Sequence, residues 1–480
     1  MNYSIIRFVL GWIIKVEGIF FLLPLLTAII YKETAGYSFL ICAVASIVIG
    51  TVMSLKKPSD KSFYAREGFI TVALGWIVMS LIGAMPFYIS GEIPSYLDAF
   101  FEIVSGFTTT GASTLSDVES LSKCMLIWTS FSHWLGGMGV LVFVLTILPL
   151  SGGESLYFMK AESPGPSVSK LVPKMRYTTG ILYLIYTGIM FVEIVLLLIG
   201  GMPVFDALCL SFGSAGTGGF AILNSGLATY TVYQQAVITV FMFLFGVNFS
   251  FYFLLLMKKG KEAFSLEEVK WYFIIYAAVT LLITWNVSCS MGGNPLMNFH
   301  HAAFQVSSIM TTTGYSTVDF DLWPAFSKTL LVIIMFIGAC AGSTGGGMKV
   351  SRILIYLKTI KKEFSTLLHP RSIKILKLDG KKIEHTVLRS ANVFLCAYVI
   401  IFAFSLILIS LDNFGFDTNF TAVAATLNNI GPGLSEVGPT RNFGVYSPLS
   451  KLVLCFNMLA GRLELFPMLL LFIPSTWKRK

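Results

Sequence analysis

Apolar stretches long enough to cross a lipid bilayer recur along the whole chain, and this decides its class. Approximate spans lie at 5–31, 37–55, 67–90, 124–150, 177–200, 231–257, 270–290, 326–358, 386–411 and 448–474. A hydrocarbon core of about 30 Å is crossed by roughly 20 apolar residues in a helix. The charge content agrees, since only 12% of the 480 residues are Asp, Glu, Lys or Arg, against roughly 25% in soluble domains. Ten-residue segments of alternating polarity, the sign of a membrane barrel, do not occur in the sequence. The expected fold is all-α and polytopic with ten spans. The first apolar run carries no small-residue cleavage site and reads as a retained span.

The basic residues alternate between connections. Lys56, Lys57, Lys61 and Arg66 share one, and Lys160, Lys170, Lys174 and Arg176 share another. Lys258, Lys259, Lys261 and Lys270 share a third. Eleven more lie from Lys349 to Arg389, and Lys478, Arg479 and Lys480 end the sequence. The intervening connections hold only Lys32, Lys123, Lys328, Arg441 and Lys451. The positive-inside rule makes the first set cytoplasmic, with both termini inside. The net charge of +9 therefore reflects membrane topology and not nucleic-acid binding. The seven cysteines are scattered singly with no CxxC pair, which leaves them as small packing residues.

Four outer connections, 91–123, 201–230, 291–325 and 412–447, are too long and too apolar for ordinary loops. Each holds an apolar run of about 10–14 residues, a length that suits a re-entrant segment. The four resemble one another. They read SYLDAFFEIVSGFTTTGAST at 95–114, PVFDALCLSFGSAGTGGFAI at 203–222, FHHAAFQVSSIMTTTGYSTV at 299–318 and GFDTNFTAVAATLNNIGPGL at 415–434. Matching them aligns Gly111, Gly218, Gly314 and Gly431. The expected organisation is an N-terminal two-span extension at 1–60, then four span–re-entrant helix–span repeats at 61–155, 156–262, 263–365 and 366–480.

Irregular backbone at membrane depth survives only when buried in protein or lining a water-filled cavity. Four such segments in one chain point to one shared cavity. Short helices entering from outside would aim their negative dipole ends at it, and Asp98, Asp206 and Asp417 suit the positive ends of three of them. Glycine tolerates positive φ, which lets the strands after the helices turn carbonyls inward, and rings of carbonyls replace the hydration shell of K⁺ in known filters. The expected lining is Thr109, Thr110 and Gly111, then Gly216, Thr217 and Gly218, then Thr312, Thr313 and Gly314, then Asn429, Ile430 and Gly431. Glu102, on the first re-entrant helix, is placed to brace the strand from behind. His133 reads as an interhelical contact.

The phrases SGFTTTGAS, SHWLGGMGVLVFVLTILPL, SAGTGGF, MTTTGYS, GSTGGGMK and NNIGPGL resemble the Trk/Ktr/HKT superfamily of potassium transporters, in particular its TrkH-type bacterial pore subunits. The likeness covers essentially the whole chain. It implies K⁺ uptake across a bacterial cytoplasmic membrane, a homodimer with one pore per subunit, and a cytoplasmic nucleotide-binding regulatory subunit. K⁺ in the pore is the only cofactor expected, with no organic group. The family's plant relatives that favour Na⁺ carry Ser at the first filter position, where this chain has Gly111. The second and fourth segments lack the TTTG form, so the ring is chemically uneven.

Two features lie below the expected filter. Segment 326–358 would run about 50 Å as one helix, too long for the core, and Gly342, Ser343, Thr344, Gly345, Gly346 and Gly347 interrupt it. Its position resembles the family's intramembrane loop that blocks the pore. A gate is expected there, with close helix packing as the alternative. Arg462 stands midway along the last span, where a charge is costly. The resemblance sets it in the pore below the filter; an ion pair with a buried acid such as Glu193 is the other reading. Glu464, two residues on, faces elsewhere on a helix. A coupled H⁺ or Na⁺ symporter is the competing function; its repeats should be inverted around broken spans, and only 326–358 reads as broken. No HExxH or GxSxG enzyme motif occurs in any span.

Overall fold

A computed structural model describes residues 1–58, 64–137, 139, 175–371 and 375–478. Lys61, Lys160, Lys170, Lys174, Lys374, Arg479 and Lys480, and the second half of the expected span 124–150 apart from Gly139, lie outside the described residues. The described chain is helical apart from one antiparallel hairpin, β1 (Lys377–Leu378) and β2 (Lys381–Lys382).

The chain opens with α1 (Tyr3–Phe20), α2 (Leu22–Tyr31) and α3 (Gly36–Leu55). Gly11 and Gly50 let α1 and α3 approach closely: a Cβ on Gly50 would lie 2.7 Å from the Lys15 nitrogen. Four stretches of like build follow. The first is α4 (Ala65–Ser90), α5 (Tyr96–Phe107) and α6 (Lys123–Gly137). The second is α7 (Met175–Ile199), α8 (Val204–Gly216), α9 (Val232–Phe245) and α10 (Phe249–Leu256), with α11 (Gly260–Ser265) after it. The third is α12 (Glu267–Met291), α13 (Pro295–Met310), α14 (Ala325–Ile337) and α15 (Val350–Leu368). The last is α16 (His385–Ile409), α17 (Phe416–Leu427), α18 (Pro448–Arg462) and α19 (Phe466–Leu471).

Among the described residues, six helices are long and apolar enough to cross a membrane, with α1–α2 counted as one; α3, α4, α7, α12 and α16 are the others. Their outward faces carry exposed Leu40, Ile41, Val44, Leu281, Trp285, Phe404 and Ile407, the composition that lipid-facing helices require. The short helices α5, α8, α13 and α17 lie inside this shell. From Ala302 to Met310 every residue of α13 is buried, and so is every residue of α17 from Thr421 to Leu427. Local chemistry starts these helices. Ser95 caps α5 by accepting from Asp98 N at 3.3 Å, and Asn294 caps α13 ahead of Pro295.

The expectation of a single broken span is corrected. Residues 231–257 bend by 90° between α9 and α10. Segment 326–358 parts between α14 and α15, and 448–474 parts after Arg462, where Glu464 and Leu465 take φ of 57° and 67°. The physical reason is local. Asn248 ends the first break by capping α10, accepting from Ser250 N at 2.8 Å, and the third turns through two left-handed residues. The number of broken spans therefore does not weigh against a coupled transporter.

Candidate functional site

The four buried short helices end in one way. The amide of Thr110 bonds to Ser105 O (2.8 Å), Gly218 to Gly213 O (2.9 Å), Thr313 to Ser308 O (2.8 Å) and Ile430 to Ala425 O (2.8 Å). Each bond closes the six-residue turn that ends a helix through one left-handed residue. That residue is Thr109 (φ 54°), Thr217 (54°), Thr312 (61°) or Asn429 (56°), where glycine is the usual choice. Two residues later comes a glycine with positive φ, Gly111 (78°), Gly219 (71°), Gly314 (88°) or Gly431 (98°).

These glycines interlock in a ring. A Cβ on Gly111 would strike the carbonyl of Gly218, one on Gly219 the carbonyl of Thr313, one on Gly314 the carbonyl of Ile430, and one on Gly431 the carbonyl of Thr110. The contacts run from the first segment to the fourth and back to the first. All four glycines also line an outer cavity of about 170 Å³, with Glu102 at its wall. The alignment of Gly218 with Gly111 is thereby corrected. Gly219 holds that place, and Gly216 is the last residue of α8. Two adjacent glycines make both registers readable from sequence, and only the helix-ending hydrogen bond separates them.

Side chains behind the ring are alike in alternate segments. Thr108 and Thr110 share a hydroxyl contact at 2.8 Å, as do Thr311 and Thr313 at 2.7 Å. Glu102 accepts from Ser113 Oγ (3.1 Å) and Thr114 N (3.2 Å), while Gln305, at the matching place in α13, donates to Val318 O at 3.3 Å. Both tie the outgoing strand back to its helix. In the fourth segment Asn429 Nδ2 instead donates to Thr110 Oγ1 and Met458 O, each at 2.9 Å. Tyr315 OH reaches the neighbouring helix at Leu210 O, 3.0 Å away. His133 stacks on Phe220 at 4.5 Å and lies under Gly218, a packing role.

Beneath the ring, residues 338–349 leave the helical path. The base of this excursion is closed by Met348 N to Phe336 O (3.3 Å) and Val350 N to Ala339 O (3.1 Å). Its top touches the ring itself, with Gly346 N donating to Thr312 Oγ1 (2.6 Å) and Gly347 N to Asn428 O (3.1 Å). A Cβ on Gly345 or Gly346 would meet the carbonyl of Thr311 or Asn428, so glycine is what permits the approach. The second stretch holds the side of the excursion, through Cys340 N to Gly246 O (3.1 Å) and Phe249 N to Gly342 O (3.0 Å). The break between α9 and α10 thus receives this segment.

Arg462 is the last residue of α18, not the middle of a continuous span. Its guanidinium donates to Thr344 O (2.8 Å), Gly136 O (2.5 Å) and Gly137 O (2.8 Å), joining the glycine-rich segment to the end of α6. Glu464 pairs with Arg352 at 2.5 Å. Lys349, buried and with φ of 77°, donates its ammonium to Gly345 O.

A family model described as "Cation transport protein", TrkH, matches residues 35–479. The chain belongs to the TrkH family. It is 35% identical over 489 residues to the Trk system potassium uptake protein TrkH of Escherichia coli K12, covering all of both chains. It is 32% identical over 492 residues to TrkG of the same organism, again in full. The crystal structure of the potassium transporter TrkH from Vibrio parahaemolyticus superposes with a TM-score of 0.89 at 31% identity, covering 100% of each chain. These relatives are named for transport and not for an enzymatic activity.

In this TrkH-family chain the structure brings together Thr109, Thr110, Gly111, Thr217, Gly218, Thr312, Thr313, Gly314, Asn429, Ile430 and Gly431 at the ring, with Gly342 to Gly347 and Arg462 beneath. Sequence reasoning missed Gly219, Lys349 and Glu268. The second glycine of the Gly218–Gly219 pair was a visible signal for the first. Lys349 follows the glycine run directly. Glu268 had no sequence signal, because its partners are backbone groups 73 and 83 residues away.

Proposed function

We propose that this chain carries K⁺ into the cell across the cytoplasmic membrane, through a filter formed by the ring. The observation that carries this reading is the closed cycle of four glycines against four carbonyl-bearing residues, Thr110, Gly218, Thr313 and Ile430. Four backbone carbonyls at one level suit a dehydrated monovalent cation, and the relatives' names supply potassium. The four stretches act as repeats 61–155, 156–262, 263–365 and 366–480, with 1–60 outside them. Segment 338–349 is the gate, since it fills the space below the ring and Arg462 pins it. The lysine-rich end, with Lys358, Lys361, Lys362, Lys377, Lys381 and Lys382, faces the cytoplasm. It offers a basic surface to a nucleotide-binding regulatory subunit and to anionic lipid. Two such chains form a homodimer, each with its own pore.

The test is ⁸⁶Rb⁺ uptake into liposomes holding the purified chain, competed by K⁺, Na⁺ or Li⁺. Competition by K⁺ should far exceed that by Na⁺, and Gly314→Ser should narrow the difference. Deletion of 342–347 should raise the rate. Silence from the deletion variant would remove the pore reading, and equal competition by all cations would remove the K⁺ assignment. Flux that requires an imposed H⁺ or Na⁺ gradient would favour a symporter over a channel-like pathway.

A further inference from the structure

Glu268 is the second residue of α12 and is only 7% exposed. One of its carboxyl oxygens, Oε1, accepts from Ala341 N at 2.7 Å and from Ser351 N at 3.0 Å. These two amides stand at opposite ends of the glycine-rich excursion. Ser351 N is also one of the unpaired first-turn amides of α15, whose N-cap residue Lys349 makes no side-chain cap bond. A helix start needs an acceptor for such groups and favours a negative one. Here a different helix supplies it.

The other bonds that hold the segment run to the ring, to the α9–α10 break and to Arg462, and across its own base from Met348 N to Phe336 O and from Val350 N to Ala339 O. Among the described residues, Glu268 is the side chain that takes an amide from each end on a single atom. Its neighbour Glu267 faces the lysine-rich surface, pairing with Lys358, and the Glu267 amide donates to Asp379 Oδ1 at 2.6 Å in the turn between β1 and β2. Lys358 in turn donates to Lys377 O at 2.8 Å. The latch point of the segment is thus one residue from the network that joins α12, α15 and the hairpin.

We propose that Glu268 is the positioning residue of the gate, latching both ends of segment 338–349 shut through a single carboxyl oxygen. This rests on the reading of that segment as a gate. Loss of the acceptor frees two buried amides at once, and a buried donor without a partner is costly. The closed arrangement is thereby weakened while the ring, which Glu268 does not touch, keeps its geometry.

The experiment compares the full chain with Glu268→Ala, Glu268→Gln and the 342–347 deletion in liposomes, with ⁸⁶Rb⁺ uptake scaled to monodisperse reconstituted protein. Glu268→Ala should raise the basal rate about tenfold, equivalent to 1.4 kcal/mol, with the preference for K⁺ over Na⁺ unchanged. Glu268→Gln should stay near the parent rate, because its amide oxygen can accept both bonds. Cys340 is buried beside the latch. With the other six cysteines replaced by Ser, its maleimide labelling should rise in Glu268→Ala and stay low in Glu268→Gln. If Glu268→Ala does not fold, Glu268→Asp replaces it; the shorter side chain reaches one end at most, and the same rise is expected. A deletion variant that conducts while the Glu268 variants keep the parent rate and labelling overturns the latch alone. Loss of cation preference in Glu268→Ala overturns it too, because the residue would then support the whole fold. A deletion variant no faster than the parent overturns the gate reading beneath it.

Discussion

At each helix end that feeds the ring stands a residue other than glycine in a left-handed conformation, and each is fully buried. Such a conformation costs an L-residue roughly 1–2 kcal/mol. It persists where the surroundings over-determine it, and that happens at working sites. At two of the four the side chain explains the choice of Thr or Asn over Gly. Thr312 accepts from Gly346 N in segment 338–349, and Asn429 reaches Thr110. Glycine at those places would relieve strain and lose the link. Two residues later the situation reverses, since any Cβ meets a carbonyl. Gly219→Ala should therefore lower stability by about 2 kcal/mol or more and abolish the preference for K⁺. Gly188→Ala, in α7 with open space around it, should instead gain up to about 1 kcal/mol from helix propensity. Thermal unfolding in detergent, alongside Rb⁺ competition, separates the two; equal effects would refute the corrected register.

Among the elements, residues 231–257 and 448–474 break beside segment 338–349, which itself parts α14 from α15. Each break exposes backbone groups that another element then uses. Gly246 O takes Cys340 N, and the turn after α18 carries Glu464 to Arg352. Arg352 is held further by Met348 O at 3.2 Å and by the Phe394 ring, 4.1 Å from its guanidinium carbon. The pair is largely buried, with side chains 6% and 24% exposed. Removing one partner of such a pair costs about 3–5 kcal/mol, while removing both costs much less. Arg352→Met and Glu464→Gln should each destabilise the chain strongly, and the double variant should lose clearly less than their sum. A double-mutant cycle read by denaturation gives the coupling; strictly additive losses would show that the pair does not join α15 to the end of α18 energetically.

For the molecule as a whole, the first and fourth stretches must meet for the ring to close. The contacts that do this span most of the sequence. Lys451 on α18 pairs with Asp98 at the start of α5 at 2.6 Å, 353 residues away, with the lysine side chain 10% exposed. Phe443 N donates to Ser113 O at 2.7 Å near the outer mouth, and Arg462 joins α18 to the end of α6 below. Asp98→Asn leaves a buried ammonium with a weaker partner and should cost more stability than the paired change Asp98→Asn with Lys451→Met. It should also reduce discrimination between K⁺ and Na⁺, because the Thr110–Asn429 side of the ring loses its outer support. Unchanged Rb⁺ competition in a folded Asp98→Asn variant would show that closure does not depend on this pair.

Hydrophobicity alone determined that the chain is helical and membrane-bound, because a span must be apolar along its length and no fold can hide that. The four Gly-rich segments were legible for a related reason: their backbone needs φ values and close approaches that only small residues allow, so TTTGAS and TTTGYS announce themselves. The glycine run at 342–347 was visible in the same way. The tertiary structure decided the rest. The register of the second segment turned on the hydrogen bond from Gly218 N to Gly213 O, which two adjacent glycines do not announce in the sequence. The breaks in the second and fourth stretches fall at Asn248 and Leu465, residues that also occur in unbroken helices. Glu268 and Lys349 acquired their places only when residues 338–349 folded back, because their partners are carbonyls and amides that every residue carries. Backbone groups leave no mark in composition, and in this protein the site is made mostly of them.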